Sequence, residues 1–230
     1  YWLQQVENMA EKGRRGLAVA EQAATIGQTA LSSADIAQSL QFIGLVGLID
    51  PPRAEAVAAV QQCREAGIQV KMITGDHAAT ARAIAREIGL THTDNVLTGN
   101  DLDFIDDAGL AGRILETDVF ARTSPAHKLR LVKALQSHGL TVAMTGDGVN
   151  DAPALKRADA GIAMGQTGSE AAKEAADLVL ADDNFASIVA AVREGRTVYD
   201  NIQKVISWTL PTNAGEALTI IVALLIGTAL

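Results

Sequence analysis

The chain has 230 residues, of which 48% are hydrophobic and only 3% aromatic, and its formal net charge is −8 at pH 7. This length suffices for one large domain, or for one and a half ordinary ones, with a sizeable core. The acidic balance, without a basic stripe, argues against a nucleic-acid-binding surface, so we expect no nucleic-acid partner. The single cysteine, Cys63, excludes a disulfide framework and fits a reducing compartment.

Short apolar segments alternate with helical ones along the chain. Runs rich in Val and Ile and bounded by Gly or Asp predict buried parallel strands at 42–49, 68–74, 118–122, 140–145, 160–164 and 177–181. The segments between them predict helices at 54–66, 78–88, 124–137 and 152–158. Ser124 followed by Pro125 is typical of a helix start. This alternation predicts an α/β fold with a doubly wound parallel sheet.

Three polar clusters follow predicted strands: "TGD" at 74–76, "ARTSPAHK" at 121–128 and "TGDGVND" at 145–151. Ligands of such sheets bind at the carboxyl ends of the strands, where these clusters are expected to meet. Backbone amides, a hydroxyl and a lysine near a helix start suit a phosphoryl group. Asp147 and Asp151 repel each other unless a cation or a proton lies between them, which favours Mg²⁺ at this loop. Alone, "TGD" is more often only a turn and a lysine only a solvated side chain, so the prediction depends on the combination.

These clusters, together with "IDPPR" at 49–53 and "MITGD" at 72–76, resemble the phosphorylation domain of P-type cation-transporting ATPases, which belong to the haloacid dehalogenase superfamily. The resemblance covers nearly the whole chain in the family's order. It implies a sheet of the haloacid dehalogenase type, followed by a transmembrane helix. ATP is then the substrate, Mg²⁺ the cofactor and a cation the transported partner.

The resemblance also implies three parts of the chain. Residues 1–40 would be the end of a nucleotide-binding domain, 41–190 the phosphorylation domain, and 191–230 a stalk with the start of the fifth transmembrane helix. Asp50 and Arg53 would belong to the hinge between the two cytosolic domains.

Roles around the metal ion come from the same resemblance. Asp147 would bind Mg²⁺ directly, and Asp151 would support the shell of the ion. Asn150 would form a hydrogen bond with the transferring phosphoryl group. Lys128 would neutralise the charge that develops in the transition state, in keeping with phosphoryl transfer that depends on positioning and charge stabilisation.

Roles around the phosphate and nucleotide are implied in the same way. Thr74 and the amide of Gly75 would hold phosphoryl oxygens, and Asp76 would close that loop. Arg122 would contact the nucleotide, and Arg15 would contact a nucleotide phosphate.

The nucleophile of this family is the aspartate of an Asp-Lys-Thr-Gly-Thr motif, and no Asp-Lys pair occurs in this chain. The sequence opens with Tyr1 and Trp2 and stops within an apolar run, so we expect a fragment whose phosphorylated aspartate lies upstream. We expect the fragment alone to turn over no ATP.

The C-terminal segment predicts a membrane helix. Basic residues at 193, 196 and 204 precede the apolar stretch 205–230, so residues 1 to about 200 are expected to be cytosolic and the helix to contact membrane lipid. Pro211 would free a nearby carbonyl. Asn213 and Glu216 are three residues apart on one helix face and are candidate ligands of the transported cation. The pair resembles that of calcium pumps, which favours Ca²⁺, but sodium/potassium pumps have a similar pair.

Several alternatives stay open. Within the family, the parent protein would be a sodium/potassium-type, heavy-metal or proton pump. Outside transport, a soluble phosphatase of the haloacid dehalogenase superfamily would use the same sheet and loops, although it has no use for an apolar helix that carries Pro211 and Glu216. A non-catalytic regulatory module is the remaining possibility.

Overall fold

The computed structural model describes residues 1–23, 30 and 40–227. The last three residues of the predicted membrane stretch and most of segment 24–39 lie outside the described residues. The described chain forms two compact units, Tyr1–Phe185 and Ala186–Leu230. The three part boundaries inferred from the sequence stay predictions.

The N-terminal elements are a helix and an antiparallel strand pair: α1 (Trp2–Glu11), β1 (Arg15–Glu21) and β2 (Gln41–Leu48). Arg15 pairs with Leu48, and the register shifts between Val19 and Ala20. The prediction of a buried parallel strand at 42–49 was therefore wrong in direction and burial, since β2 is largely exposed. An apolar run predicts a strand, but it carries no information about the direction of the neighbour with which the strand pairs.

Two three-stranded parallel sheets follow. The first has the order β3 (Met72–Ile73), β5 (Val119–Ala121), β4 (Val96–Thr98), and the second β6 (Ala143–Gly146), β7 (Ala160–Met164), β8 (Leu178–Leu180). The α/β class with parallel strands is confirmed. The hydrogen bonds divide the strands into two sheets, and most of the strands are shorter than the apolar runs that predict them.

Helices connect the strands, and the sequence predicted four of them to within one residue at each end. These are α2 (Ala54–Glu65), α3 (Ala78–Glu87), α6 (Pro125–Ser137) and α7 (Ala152–Arg157). The prediction missed α1, the strands β1 and β4, and the helices α4 (Gly99–Phe104), α5 (Asp107–Ile114) and α8 (Glu170–Ala175). The start of α6 is fixed by reciprocal capping, because the Ser124 hydroxyl accepts from the His127 amide while the His127 ring accepts from the Ser124 amide.

The core of the first unit links the two sheets. Phe120 of β5 is fully buried and packs with residues of α4 and α5, including Leu102 and Leu110. Ile73 of β3 packs against this cluster and also against the cluster around Met144 of β6. Because burial of each large apolar side chain contributes about 1.5–3 kcal/mol, these contacts hold the ends of β3, β5 and β6 in fixed positions.

The chain continues into α9 (Phe185–Ile226), a helix of 42 residues. In the described part of the chain it is the one helix that is long and apolar enough to cross a membrane. At 1.5 Å per residue it is about 63 Å long, roughly twice the hydrocarbon thickness of a bilayer. Pro211 lies inside this helix and has no N–H to donate, while the Thr212 hydroxyl donates to the Trp208 carbonyl over 2.8 Å.

Candidate functional site

The segments that follow β3 and β5 are joined by backbone hydrogen bonds. The Thr74 amide donates to the Phe120 carbonyl over 2.9 Å, and the Thr123 amide donates to the Thr74 carbonyl over 3.3 Å. The Arg122 amide donates to the Asp76 carbonyl over 3.2 Å. Two of the three polar clusters seen in the sequence therefore meet at the carboxyl ends of adjacent strands.

The "TGD" segment forms a closed polar turn. The Thr74 hydroxyl donates to Asp76 Oδ2 over 2.9 Å, and the Asp76 amide donates to the Thr74 hydroxyl over 3.1 Å. Gly75 between them is exposed, and a Cβ added there would have no neighbour within 4 Å. The open backbone at Gly75 leaves room for a ligand, whereas the Thr74 hydroxyl must turn away from Asp76 before it can donate to one.

The third cluster is organised around the carboxylate of Asp151, whose side chain is 5% exposed. Its Oδ1 accepts from Lys128 Nζ over 2.5 Å. Its Oδ2 accepts from the amides of Asp147 and Gly148, each over 3.2 Å. A Cβ at Gly146 would lie 2.6 Å from the Cβ of Asp151, so the loop needs glycine there. The Lys128 ammonium thus provides the positive charge that a buried carboxylate requires.

The ion pair between Lys128 and Asp151 gives the two aspartates different environments. Both carboxylate oxygens of Asp151 are occupied by donors, so its structural effect is to hold the amides of the loop. The ammonium of Lys128 compensates the negative charge of Asp151 and so reduces the expected repulsion between the two aspartates. The carboxylate of Asp147 is exposed. Within the described ranges, no group of three or more His, Cys, Asp or Glu residues could hold a metal ion.

The donor chemistry fits Mg²⁺ that is shared with a ligand. Mg²⁺ takes oxygen ligands and is usually bound by one or two carboxylates together with waters and substrate phosphates. Asp147 supplies one exposed carboxylate, with Asn150 nearby in the same loop and also exposed. The residues therefore suit an ion that completes its coordination on a phosphate rather than an ion enclosed by protein alone.

Arg122 has a backbone conformation that is uncommon for a residue with a side chain. Its φ is 50°, in the left-handed region. Gly99 of α4 packs against its carbonyl oxygen so closely that a Cβ at Gly99 would overlap that oxygen. The close contact with Gly99 therefore fixes the backbone of Arg122, while the Arg122 side chain is exposed.

The remaining predicted residues lie elsewhere. Arg15 opens β1 and is exposed, and the structure does not bring it into the hydrogen-bonded set around Asp151. Asp50 and Arg53 lie between β2 and α2, with Arg53 at the N-cap of α2. Asn213 and Glu216 both lie on α9, are exposed, and share one face of a continuous helix. Their roles stay predictions.

Sequence reasoning missed several residues that support the site. The Ser169 amide donates to the Asp147 carbonyl over 2.7 Å, and the Ser169 hydroxyl caps α8. Ser followed by Glu is a helix-start signal that would have drawn attention to this position. His127 lies within 2.8 Å of Asp103 through Nε2, and so ties α4 to the start of the helix that carries Lys128. No local sequence pattern predicts the pairing of His127 with Asp103, which are 24 residues apart.

The fold agrees with the comparisons to known proteins. Residues 2–159 match the model of the haloacid dehalogenase-like hydrolases, and residues 128–192 match a second model of the same description. The chain belongs to the haloacid dehalogenase-like hydrolase family.

The curated relatives are transport ATPases. The chain is 54% identical to a cation-transporting ATPase of Synechocystis, over 96% of the chain and 25% of that protein. It is 54% identical to calcium-transporting ATPase 1 of Bacillus cereus, over 83% of the chain and 22% of that protein. It is 47% identical to an endoplasmic reticulum calcium ATPase of Aspergillus fumigatus, over 87% of the chain and 21% of that protein. The chain spans about a quarter of the length of these relatives.

Proposed function

We propose that the chain is part of an ATP-driven cation pump that forms an aspartyl-phosphate and couples its turnover to the transport of a cation, with Ca²⁺ as that cation. One observation carries the proposal. A haloacid dehalogenase-like domain, with polar clusters at the carboxyl ends of its strands, occurs in the same chain as α9, a helix long and apolar enough to cross a membrane. The names of the relatives support Ca²⁺ as the transported cation, because two of the three relatives are named as calcium ATPases. In this arrangement residues 1 to about 200 are cytosolic.

The phosphorylated aspartate is proposed to come from a segment outside this sequence. In residues 1–23, 30 and 40–227, β3 and β6 each have one edge without a hydrogen-bonded strand, and both edges belong to strands whose carboxyl ends carry the polar clusters. Unpaired edges are the places where a further strand adds to a sheet. A strand between β3 and β6 would bring an aspartate at its carboxyl end between Thr74 and Asp147.

The residues of this chain would then act by positioning and by charge. Mg²⁺, held by Asp147 and the phosphate, would supply the positive charge that polarises the phosphoryl oxygens. Lys128 would place its ammonium beside the reacting group while it remains paired with Asp151. Asn150 would donate to a phosphoryl oxygen, and the open backbone at Gly75 would receive another. The attacking carboxylate oxygen would form a bond to the γ-phosphorus of ATP while the bond from that phosphorus to the bridging oxygen of ADP breaks, which gives the acyl-phosphate and releases ADP.

The test uses the full-length protein in membranes with ATP labelled in its γ-phosphate. We expect an acid-stable, hydroxylamine-sensitive phosphoenzyme that forms only with Mg²⁺ and Ca²⁺ and is lost in the Asp147→Asn variant. The 230-residue chain alone should form none. A phosphoenzyme that depends on Na⁺ and not on Ca²⁺ would assign the protein to the sodium/potassium type, and phosphatase activity without any phosphoenzyme that depends on a cation would refute the proposal.

A further inference from the structure

Asp183 is a carboxylate outside the site that binds an unusual number of donors. It lies between β8 and α9, in the left-handed region with a φ of 51°. Its Oδ1 accepts from the amides of Gly165 over 2.7 Å and Gln166 over 3.0 Å. Its Oδ2 accepts from the amide and the hydroxyl of Thr167, each over 2.8 Å. These hydrogen bonds, led by that of the Gln166 amide, lower the pKa of Asp183 to about 2.

The loop that Asp183 binds, residues 165–167, leads directly to the site. Two positions later, Ser169 donates its amide to the Asp147 carbonyl over 2.7 Å. A Cβ at Gly168 would overlap the Met164 carbonyl oxygen, and a Cβ at Gly165 would lie 2.7 Å from the Leu180 carbonyl oxygen. The loop is therefore packed closely against the ends of β7 and β8, with little room to move independently of Ser169.

The other side of Asp183 leads into the long helix. One residue separates Asp183 from Phe185, where α9 begins, and Phe185 packs against the cluster that contains Val60 and Val119. The carboxylate thus binds the loop, while the backbone of the same residue continues into the first turn of α9.

We propose that Asp183 is a positioning residue that connects the start of α9 to the Asp147 loop through residues 165–169. A movement of Phe185, the first residue of α9, then changes the position of Asp147, and a ligand at Asp147 restrains that residue. The part of this inference that concerns transport rests on the proposed function, whereas the link between Asp183 and Asp147 does not.

A nearby carboxylate provides a matched control. Asp177 accepts one hydrogen bond, from the Gly161 amide over 2.8 Å, at the opposite end of β7 and β8, so Asp177→Asn perturbs the same strand pair away from residues 165–169. If Asp183 acted only by stabilising this strand pair, Asp183→Asn would have no more effect on Ser169 than Asp177→Asn. Asparagine is the appropriate replacement at position 183 because it keeps the size of the side chain and tolerates a positive φ.

The first experiment measures amide hydrogen exchange in the 230-residue chain. In Asp183→Asn we expect exchange at Gly165, Gln166 and Thr167, and also at Ser169, to accelerate by roughly ten-fold or more. Asp177→Asn should accelerate Gly161 and leave Ser169 unchanged. Thr167→Val, which removes only the hydroxyl donor, should give a smaller acceleration in the same direction and tests the link if Asp183→Asn does not fold. Unchanged exchange at Ser169 in the position-183 variant, or equal acceleration in the position-177 variant, overturns the inference.

The second experiment measures phosphoenzyme formation by the full-length protein. We expect Asp183→Asn to raise the Mg²⁺ concentration for half-maximal phosphorylation by roughly ten-fold, as is typical for residues that orient a metal ligand, and to leave the half-saturating ATP concentration unchanged. Asp177→Asn should alter neither value. If the wild-type protein forms no phosphoenzyme, the proposed function fails, while the exchange experiment still decides the link between Asp183 and Asp147.

Discussion

Replacement of Lys128 by methionine tests whether its ammonium compensates the buried charge of Asp151. Methionine keeps much of the length and the apolar contacts of the lysine side chain but removes the donor that lies 2.5 Å from Asp151 Oδ1. The Asp151 side chain is 5% exposed, so without Lys128 its charge stays buried with only the amides of Asp147 and Gly148 as partners. Loss of one partner of a buried ion pair typically costs about 3–5 kcal/mol.

The expected loss is smaller than that range because two hydrogen bonds remain and the Lys128 side chain is 24% exposed. We expect Lys128→Met to lower the free energy of unfolding by about 2–3 kcal/mol. Asp151→Asn removes the charge from the other side, so the double variant should lose about 1–2 kcal/mol less than the sum of the two single losses.

The assay is urea denaturation of the 230-residue chain in a mild detergent, with the free energy of unfolding obtained for each variant. Lys173 is the matched control, because its side chain is 26% exposed but its partner, Glu170, is 85% exposed. Lys173→Met should therefore change the free energy of unfolding by less than about 0.5 kcal/mol. A loss of the same small size in Lys128→Met, additive with that of Asp151→Asn, would show that Lys128 does not compensate the buried carboxylate.

Three further predictions use other residues. Gly99→Ala should lower the free energy of unfolding by more than about 2 kcal/mol, because the added Cβ overlaps the Arg122 carbonyl oxygen. Gly112→Ala, in α5 with no neighbour within 4 Å of the added Cβ, should raise the free energy of unfolding by about 0.5–1 kcal/mol. Urea denaturation measures both variants, and equal effects would contradict the close contact at Gly99. The lowered pKa of Asp183, about 2, means that its stabilisation is present above its ordinary value of 3.8 and is lost as the pH falls through 2; acid titration of Asp183→Asn should lack this part of the pH dependence, and an unaltered titration contradicts it. Glu216→Gln in the full-length protein should raise the Ca²⁺ concentration for half-maximal phosphorylation by roughly ten-fold or more, while Glu194→Gln, on the same helix before its apolar part, should not; an unchanged value removes Glu216 as a ligand.

The sequence alone determined the features that depend on neighbouring residues. Apolar runs between Gly and Asp predicted β7 at its observed bounds and the approximate positions of β3, β5, β6 and β8. The Ser124–Pro125 signal predicted the start of α6. The polar clusters after the strands predicted that these segments would come together, because strand direction alone brings the carboxyl ends of parallel strands to one edge. The resemblance in those clusters predicted the family that the comparisons confirm.

The tertiary structure decided which partners the charged side chains find. Lys128 and Asp151 are 23 residues apart in the sequence, and Asp183 is 18 residues from Gly165. The antiparallel pairing of β2 with β1 was equally hidden, because an apolar run is compatible with either direction of its neighbour. Periodicity and capping act over a few residues, whereas these pairings arise only when packed elements bring distant residues together. The sequence therefore predicted that the three polar clusters come together, and packing decided that Asp151 is held by Lys128 and that Asp147 is left exposed.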